Sequence, residues 1–237
     1  MNLVKQLPIG LSLACLMMMS SCSKEDAAVT PAQQQEQGNI HSSHKGVTYV
    51  SPLFSPTIGS VGKEVYPAGW EAYSFGPGEA DPLIPAGTSS LTHLWGEGTY
   101  PWEKPLPPVP TAPNANSVVT VSNYGSINDI SYAGTKIKNL TPGKKYTITF
   151  YVATTKLKGA YTTPQQYANS MHVILNAKSV QVSLKGKEAT WVPQTITFDA
   201  VSNEAVFNFF PTGEIGSYAY AHVFVDQNSI KELIFKL

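Results

Sequence analysis

Over residues 146–154 the side chains alternate: Tyr146, Ile148, Phe150 and Val152 fall on one face, Thr147, Thr149, Tyr151 and Ala153 on the other. A period of two belongs to a strand with one buried face and cannot be seated on a helix, whose neighbours recur every 3.6 residues. The same beat returns over 195–200, with Ile196, Phe198 and Ala200 expected inward. Ala205, Phe207 and Phe209 alternate with Val206 and Asn208, and Val223 and Val225 with His222, Phe224 and Asp226. A closing run is expected to turn Leu233, Phe235 and Leu237 inward against Glu232, Ile234 and Lys236. Shorter strands are expected over 117–121, 135–138, 171–177 and 180–184. Thr141-Pro142-Gly143, Lys185-Gly186-Lys187 and Val201-Ser202-Asn203 separate these runs. Proline pre-sets the first turn's φ and glycine tolerates φ > 0. The 18 glycines and 18 prolines of the 237 residues fit many turns and few helices. The expected fold is all-β, an antiparallel sandwich of two sheets.

The N-terminal stretch reads as an address. Lys5 precedes an apolar run from Leu7 to Met19, interrupted by Pro8, Gly10 and Ser12. A membrane-spanning helix needs roughly 20 apolar residues, so this shorter run reads as a secretory signal. It ends in Ser20-Ser21-Cys22, which resembles the bacterial lipobox, with Met19 where leucine is usual. The resemblance implies cleavage after residue 21 and lipidation of Cys22. Ser23-Lys24-Glu25-Asp26 resembles an export signal of surface lipoproteins, which implies an outer-membrane protein facing the cell exterior. Two or more acyl chains give stable anchoring. Loss of residues 1–21 removes Lys5 and Cys15, leaving 15 lysines against 16 acids and Cys22 as the sole cysteine. Residues 22–46 carry Gln33-Gln34-Gln35-Glu36-Gln37 and almost no large apolar side chain, so a flexible tether is expected there. His41 and His44 sit in it as a solvated pair without a third ligand. Residues 47–237 remain as one sandwich domain of about 190 residues, enough to bury roughly 70% of its unfolded surface.

Charge excludes one class of partner. The 16 basic residues are all lysine and balance 16 acids, so no basic field exists to hold a nucleic acid backbone. The lack of arginine also removes the planar fork suited to carboxylate and phosphate, which turns attention to neutral ligands.

The order of the C-terminal segments is familiar. Leu140-Thr141-Pro142-Gly143 leads into the strand at Tyr146, Trp191 leads into 195–200, and Val223-Phe224-Val225-Asp226 precedes Ile230-Lys231-Glu232-Leu233. This succession, over residues 118–237, resembles the galactose-binding-like jelly-roll domains found in many carbohydrate-binding modules. Residues 48–117 fit loosely, through Phe54 and Gly69-Trp70. The resemblance implies a jelly roll and carbohydrate binding without catalysis. It also implies a structural calcium, with Asp226 as a ligand, although Ser55 stands after Phe54 where family members often carry an acid. The alternative for Asp226 is a cap on the turn before Gln227-Asn228. No cofactor is required by this reading.

Sugar C–H groups stack on aromatic faces, so the ligand candidates are aromatic. Trp95, Tyr100 and Trp102 crowd the Gly- and Pro-rich segment 94–102, while Tyr218 and Tyr220 form a second cluster. Tyr161 and Tyr167 make a third, and Asn123, Asn128 and Asp129 lie near Tyr124. Trp95 and Trp102 are the first choice, expected to face solvent in a shared groove. Trp70 and Trp191, beside strand edges, are expected in the core. Six prolines between Pro101 and Pro113 imply an extended strap across the surface. Motifs for serine, zinc and phosphate chemistry are missing, and His93, His172 and His222 are too scattered to define a triad. Glu97 and Glu103 are the best pair for a glycoside hydrolase or lyase accessory role. The leading expectation is a non-catalytic, neutral-glycan-binding surface lipoprotein. The alternative is a structural or adhesive cell-envelope module that binds a protein partner.

Overall fold

A computed structural model describes residues 40–42, 48–63, 65–72, 89–124 and 130–234. The expected signal peptide, Cys22, and the expected tether up to residue 39 lie outside the described residues, as do Asn128, Asp129, Phe235 and Leu237. Fifteen strands are present among the described residues: β1 (Ile40–Ser42), β2 (Thr48–Val50), β3 (Gly62–Lys63), β4 (Trp70–Ala72), β5 (Ser89–His93), β6 (Ser117–Asn123), β7 (Ala133–Ile137) and β8 (Lys145–Thr155). Then follow β9 (Gln165–Tyr167), β10 (Ser170–Leu175), β11 (Lys178–Ser183), β12 (Val192–Asp199), β13 (Ala205–Thr212), β14 (Tyr218–Phe224) and β15 (Ile230–Glu232). No helix occurs among the described residues.

The strands build two facing sheets. The smaller runs β11-β10-β13-β7-β4, and the larger runs β12-β8-β14-β6-β5-β3, with β15 against β8 and β9 against β14. Among the described residues every strand pairing is antiparallel except β9 with β14. From β6 onward the chain passes repeatedly from one sheet to the other, the connectivity of a jelly roll. The fold expected from the alternation is therefore the one observed. β1 and β2 form a separate hairpin, with Ile40 opposite Val50, so pairing begins inside the stretch expected to be tether.

The alternating residues explain the core. Tyr146, Ile148, Phe150 and Val152 of β8 are all buried, as are Ile196 and Phe198 of its partner β12. Thr147 lies opposite Thr197 and Thr149 opposite Thr195, and these hydroxyls pair on the solvent side at 3.2 and 3.3 Å. Phe207 of β13 is the aromatic hub, its ring 5.0 Å from Phe54, 5.1 Å from Phe150 and 6.0 Å from Trp70. Edge-to-face packing of this kind adds to the burial of each ring. Trp70 donates its indole N–H to the Ser55 carbonyl at 2.8 Å, which lets a polar atom enter the core.

Three strand expectations change. Strand β15 ends at Glu232, and Leu233 is exposed rather than inward, while Ile234 is exposed as expected. Asn208 points away from the core yet is buried, because it lies directly over Gly134 of β7. A side chain at Gly134 would collide with Asn208 and with the Phe207 carbonyl, so glycine leaves the only room for it. His222 and Phe224, expected on the solvent face of β14, are also buried. The reason is the proline strap. Leu106, Val109 and Ala115 pack with Trp191 onto Leu94, Val118, Ala153 and Phe224, forming a second apolar cluster outside the larger sheet. Trp191 holds the strap down through an indole N–H to the Pro107 carbonyl at 2.8 Å.

Truncation of the hub gives the first test. Phe207→Ala is expected to cost about 3–5 kcal/mol in urea denaturation, whereas Thr195→Ala on the exposed face should stay within about 0.5 kcal/mol.

Candidate functional site

The outer face of the larger sheet is divided in two. Along β14 the side chains of Tyr218, Tyr220, His222 and Phe224 point outward, since Ala219, Ala221 and Val223 belong to the main core. The strap covers the half around His222 and Phe224. The half around Tyr218 and Tyr220 stays open, and that is where the candidate site lies.

Trp102 stands at the boundary. Its ring centroid is 5.5 Å from Tyr220 and 5.1 Å from His222, and its N–H donates to the His93 carbonyl at 3.2 Å. It is only 5% exposed. Trp95, by contrast, is 48% exposed and lies flat on His93 at 4.4 Å, and Tyr100 is 52% exposed on the same hairpin. Trp95 and Trp102 therefore do not share a solvent-facing groove. The hairpin bonds Glu97 N to Tyr100 O and Trp102 N to Trp95 O, and Trp102 alone turns onto the sheet. The structure instead joins the two clusters seen separately in the sequence, Trp102 with Tyr220.

Beneath Trp102 runs a buried polar chain. Thr92 and Thr120 share a hydrogen bond at 2.6 Å, Thr120 reaches His222 Nδ1 at 2.8 Å, and Thr155 reaches Nε2 at 2.7 Å. A neutral imidazole has one donor and one acceptor nitrogen, so two hydroxyls satisfy it completely. Burial pushes the His222 pKa down to about 3 from 6.5. His222 is thus a structural histidine without access to a substrate.

The open half is an aromatic patch. Tyr218 packs on Tyr124 at 5.3 Å, and Tyr124 is 41% exposed. Pairing with β9 places Gln165 beside Tyr218 and Tyr167 beside Tyr220, while Ser122 of β6 lies on the other side of Tyr220. Gln165 donates to the Thr163 carbonyl at 3.0 Å, and its Oε1 is buried without a hydrogen-bond partner. Burial raises the Tyr220 pKa, with the neighbouring Tyr218 and Tyr161 adding to the shift. The Tyr220 hydroxyl therefore stays neutral at any physiological pH.

Its rim carries charge that is already used. Glu103 pairs with Lys156 at 2.8 Å and accepts from the Tyr167 hydroxyl at 3.3 Å. The Lys156 hydrogen bond leads the effects that hold the Glu103 carboxyl below the usual range. Desolvation, then Glu103, pushes the Tyr167 pKa up to about 12. A glycosidase acid needs the opposite shift, so Glu103 is suited to an ion pair and not to proton donation. Asp226 lies away from the patch, at the end of β14. Its Oδ1 accepts from Asn228 N at 2.7 Å and from the Ser229 hydroxyl at 3.4 Å, closing a turn. No group of three or more His, Cys, Asp or Glu side chains able to hold a metal occurs among the described residues.

Sequence patterns named most of the patch but not its arrangement. Tyr124, Tyr161, Tyr167, Tyr218 and Tyr220 were all visible as aromatics near turns. Gln165 and Ser122 carry no local signal; their place follows from β9 and β6 pairing with β14.

No protein-family model matches the chain, and no curated protein does either. Similar solved structures include a family 61 carbohydrate-binding module in complex with β-1,4-galactotriose, 10% identical with a TM-score of 0.40, covering 70% of this chain and 88% of that one. Another is the N-terminal cellulose-binding domain of a Cellulomonas fimi β-1,4-glucanase, 14% identical with a TM-score of 0.35, covering 77% and 100%. A cleaved adhesin domain of Lys-gingipain is 11% identical with a TM-score of 0.41, covering 78% and 100%. Carbohydrate-binding modules are thus among the structures this chain resembles. At such identities and TM-scores, its ligand has to be read from its own residues.

Protonation tests the polar chain. Below pH 6.5 the unfolded chain takes up a proton at His222 that the folded chain refuses until about pH 3. Its contribution to stability is whole above pH 6.5 and is lost as pH falls, with a slope approaching 1.4 kcal/mol per pH unit, roughly. His222→Gln should flatten the unfolding free energy between about pH 6 and 4 by roughly that slope. Equal slopes in the two proteins would contradict the assignment.

Proposed function

We propose that this chain is a lipoprotein of the outer membrane, facing the cell exterior, whose sandwich binds neutral glycan without catalysis. The open tyrosine patch on the larger sheet carries the binding part. Tyr124, Tyr218 and Tyr220 offer apolar ring surface and hydroxyls on a rigid strand scaffold, with Trp102 as a wall. Sugar rings need that combination: C–H groups to cover a π-face, and a few fixed polar groups to set orientation. Glu103 and Lys156 at the rim are paired with each other, which favours an uncharged ligand.

The lipoprotein part is supported by the apolar run ending in Ser20-Ser21-Cys22 and by Ser23-Lys24-Glu25-Asp26 after it. A calcium at Asp226 rests on the family resemblance alone; in the structure its Oδ1 accepts from Asn228 N and the Ser229 hydroxyl. A protein partner is the second reading.

Retardation of the protein in gels containing soluble polysaccharides tests the glycan reading. Tyr218→Ala and Tyr124→Ala should each weaken binding about tenfold or more, a loss of ~1.4 kcal/mol, with the thermal midpoint nearly unchanged. Trp95→Ala, at a half-exposed ring stacked on His93 and not in contact with the tyrosines, should retain it. Loss of binding with Trp95→Ala alone would move the site to the hairpin. For the anchor, palmitate labelling of cells should vanish in Cys22→Ser, and labelling that survives would remove the lipid assignment.

A further inference from the structure

We infer that the smaller sheet carries a second site, for an anionic oxygen group, in the 380 Å³ groove lined by Asn169, Ser170, Gln181, Ser183, Lys185 and Thr212. It is independent of the tyrosine patch, which lies on the other sheet. The groove sits where β10 begins and where β11 and β13 end. Ser170 lies opposite Ser183 of β11 on one side and opposite Thr212 of β13 on the other. Met171, Val182 and Phe209, of the opposite parity, belong to the main core, so the three hydroxyl residues stand in a row on the outer face. Asn169 ties the end of the row together. Its N–H donates to the Thr212 carbonyl at 2.8 Å, and its carbonyl accepts from Leu184 N at 2.9 Å.

The hydroxyl row has a proton to spare. Gln181 Nε2 donates to Ser170 Oγ at 2.9 Å, and Ser170 Oγ shares one hydrogen bond with Thr212 Oγ1 at 2.6 Å. Two hydroxyl protons serve that one bond. The other acceptor within reach is the Ser170 carbonyl, 3.4 Å from Thr212 Oγ1 and longer than a good O–H···O bond. An oxygen atom placed in the groove is a better partner for the remaining proton.

Charge decides which kind of oxygen. The turn after β11 is closed by Lys187 N to Leu184 O at 3.1 Å, with Gly186 at φ 71° in its third position, where a type II turn requires glycine. The turn sets one lysine on each side of that glycine. Lys185 lines the groove, and Lys187 Nζ donates to the carbonyl of Ser183 at 3.3 Å, which holds a second ammonium group beside it. Neither lysine has an ion-pair partner among the described residues. No carboxylate lines the groove. Glu188, next in sequence, bridges to Thr154 at the end of β8, and its charge is felt by Tyr167 of the larger sheet. Two uncompensated ammonium groups beside hydroxyls and carboxamides in a concave site match a carboxylate, or a sulfate or phosphate ester. Lysine holds such a group as a point charge, so the lack of arginine removes only the bidentate fork.

Titration of the isotope-labelled protein with sulfate, phosphate, acetate and glucuronate, balanced by chloride to constant ionic strength, tests the site. Saturable amide shifts at Asn169, Ser170, Gln181, Ser183 and Lys185 are expected, with Tyr124 and Tyr218 unmoved. Saturation by any of the four supports the site. Preference for sulfate or phosphate identifies an ester, and preference for acetate or glucuronate a carboxylate. Lys185→Ala with Lys187→Ala should weaken binding about tenfold or more at an unchanged thermal midpoint, and the double change to arginine should preserve it. Lys231→Ala, on the other sheet, should have no effect. Shifts that rise alike with every anion and never saturate mean an adventitious ion only, and overturn the proposal. So does saturation that survives loss of both lysines, or equal saturation by uncharged methyl galactoside.

Discussion

The contact on which the outer face depends is the seating of Trp102 on Tyr220 and His222. That indole ends the covered half of the larger sheet and begins the open half. Behind it, Trp191 and the Pro107 carbonyl clamp the strap, so Phe224 and Val118 are buried on a face that would otherwise meet water. In front of it, nothing of the strap covers Tyr218 and Tyr124. A sandwich needs one buried face per sheet; this chain buries a face and a half of its larger sheet, and the remaining half is where chemistry is left over.

Covering a sheet face that carries polar residues obliges the chain to satisfy them. Thr92, Thr120 and Thr155 do so around His222, at hydroxyl–nitrogen and hydroxyl–hydroxyl distances of 2.6–2.8 Å. The cost of an unpaired buried polar group, about 1–3 kcal/mol, explains why four such groups occur together instead of singly. It also explains why His222 is unfit for catalysis: both its nitrogens are engaged and its proton affinity is low. The charged residues at the rim follow the same logic, with Glu103 committed to Lys156 and Tyr167.

The sandwich was legible because its core strands obey a period of two. Residues 146–152 read as one buried and one exposed face, and the pairing of β8 with β12 placed the threonines and the apolar residues as that pattern requires. The reading went astray where a third layer covers the sheet. His222 and Phe224 alternate with Val223 and Val225 in sequence, yet both sets are buried, because the strap adds a core that periodicity within one strand cannot reveal. Trp102 was misplaced for the same reason: a tryptophan among glycines and prolines looks like a loop aromatic until the hairpin shows which way it turns. Trp95, seven residues earlier, shares the composition and faces solvent. The tyrosines were visible one by one, but bringing Tyr124 to Tyr218, and Tyr167 to Tyr220, took strand pairings across the sheet.

The most direct measurement of the central claim is amide and side-chain NMR of the labelled domain titrated with the oligosaccharide mixture that competes best. Shifts concentrated at Ser122, Tyr124, Gln165, Tyr218 and Tyr220, with Thr195 and Thr197 on the exposed threonine face unmoved, are the expected result. Shifts centred on Trp95 and Tyr100, or on the 380 Å³ polar groove of Ser170, Gln181 and Thr212 on the opposite sheet, would contradict it.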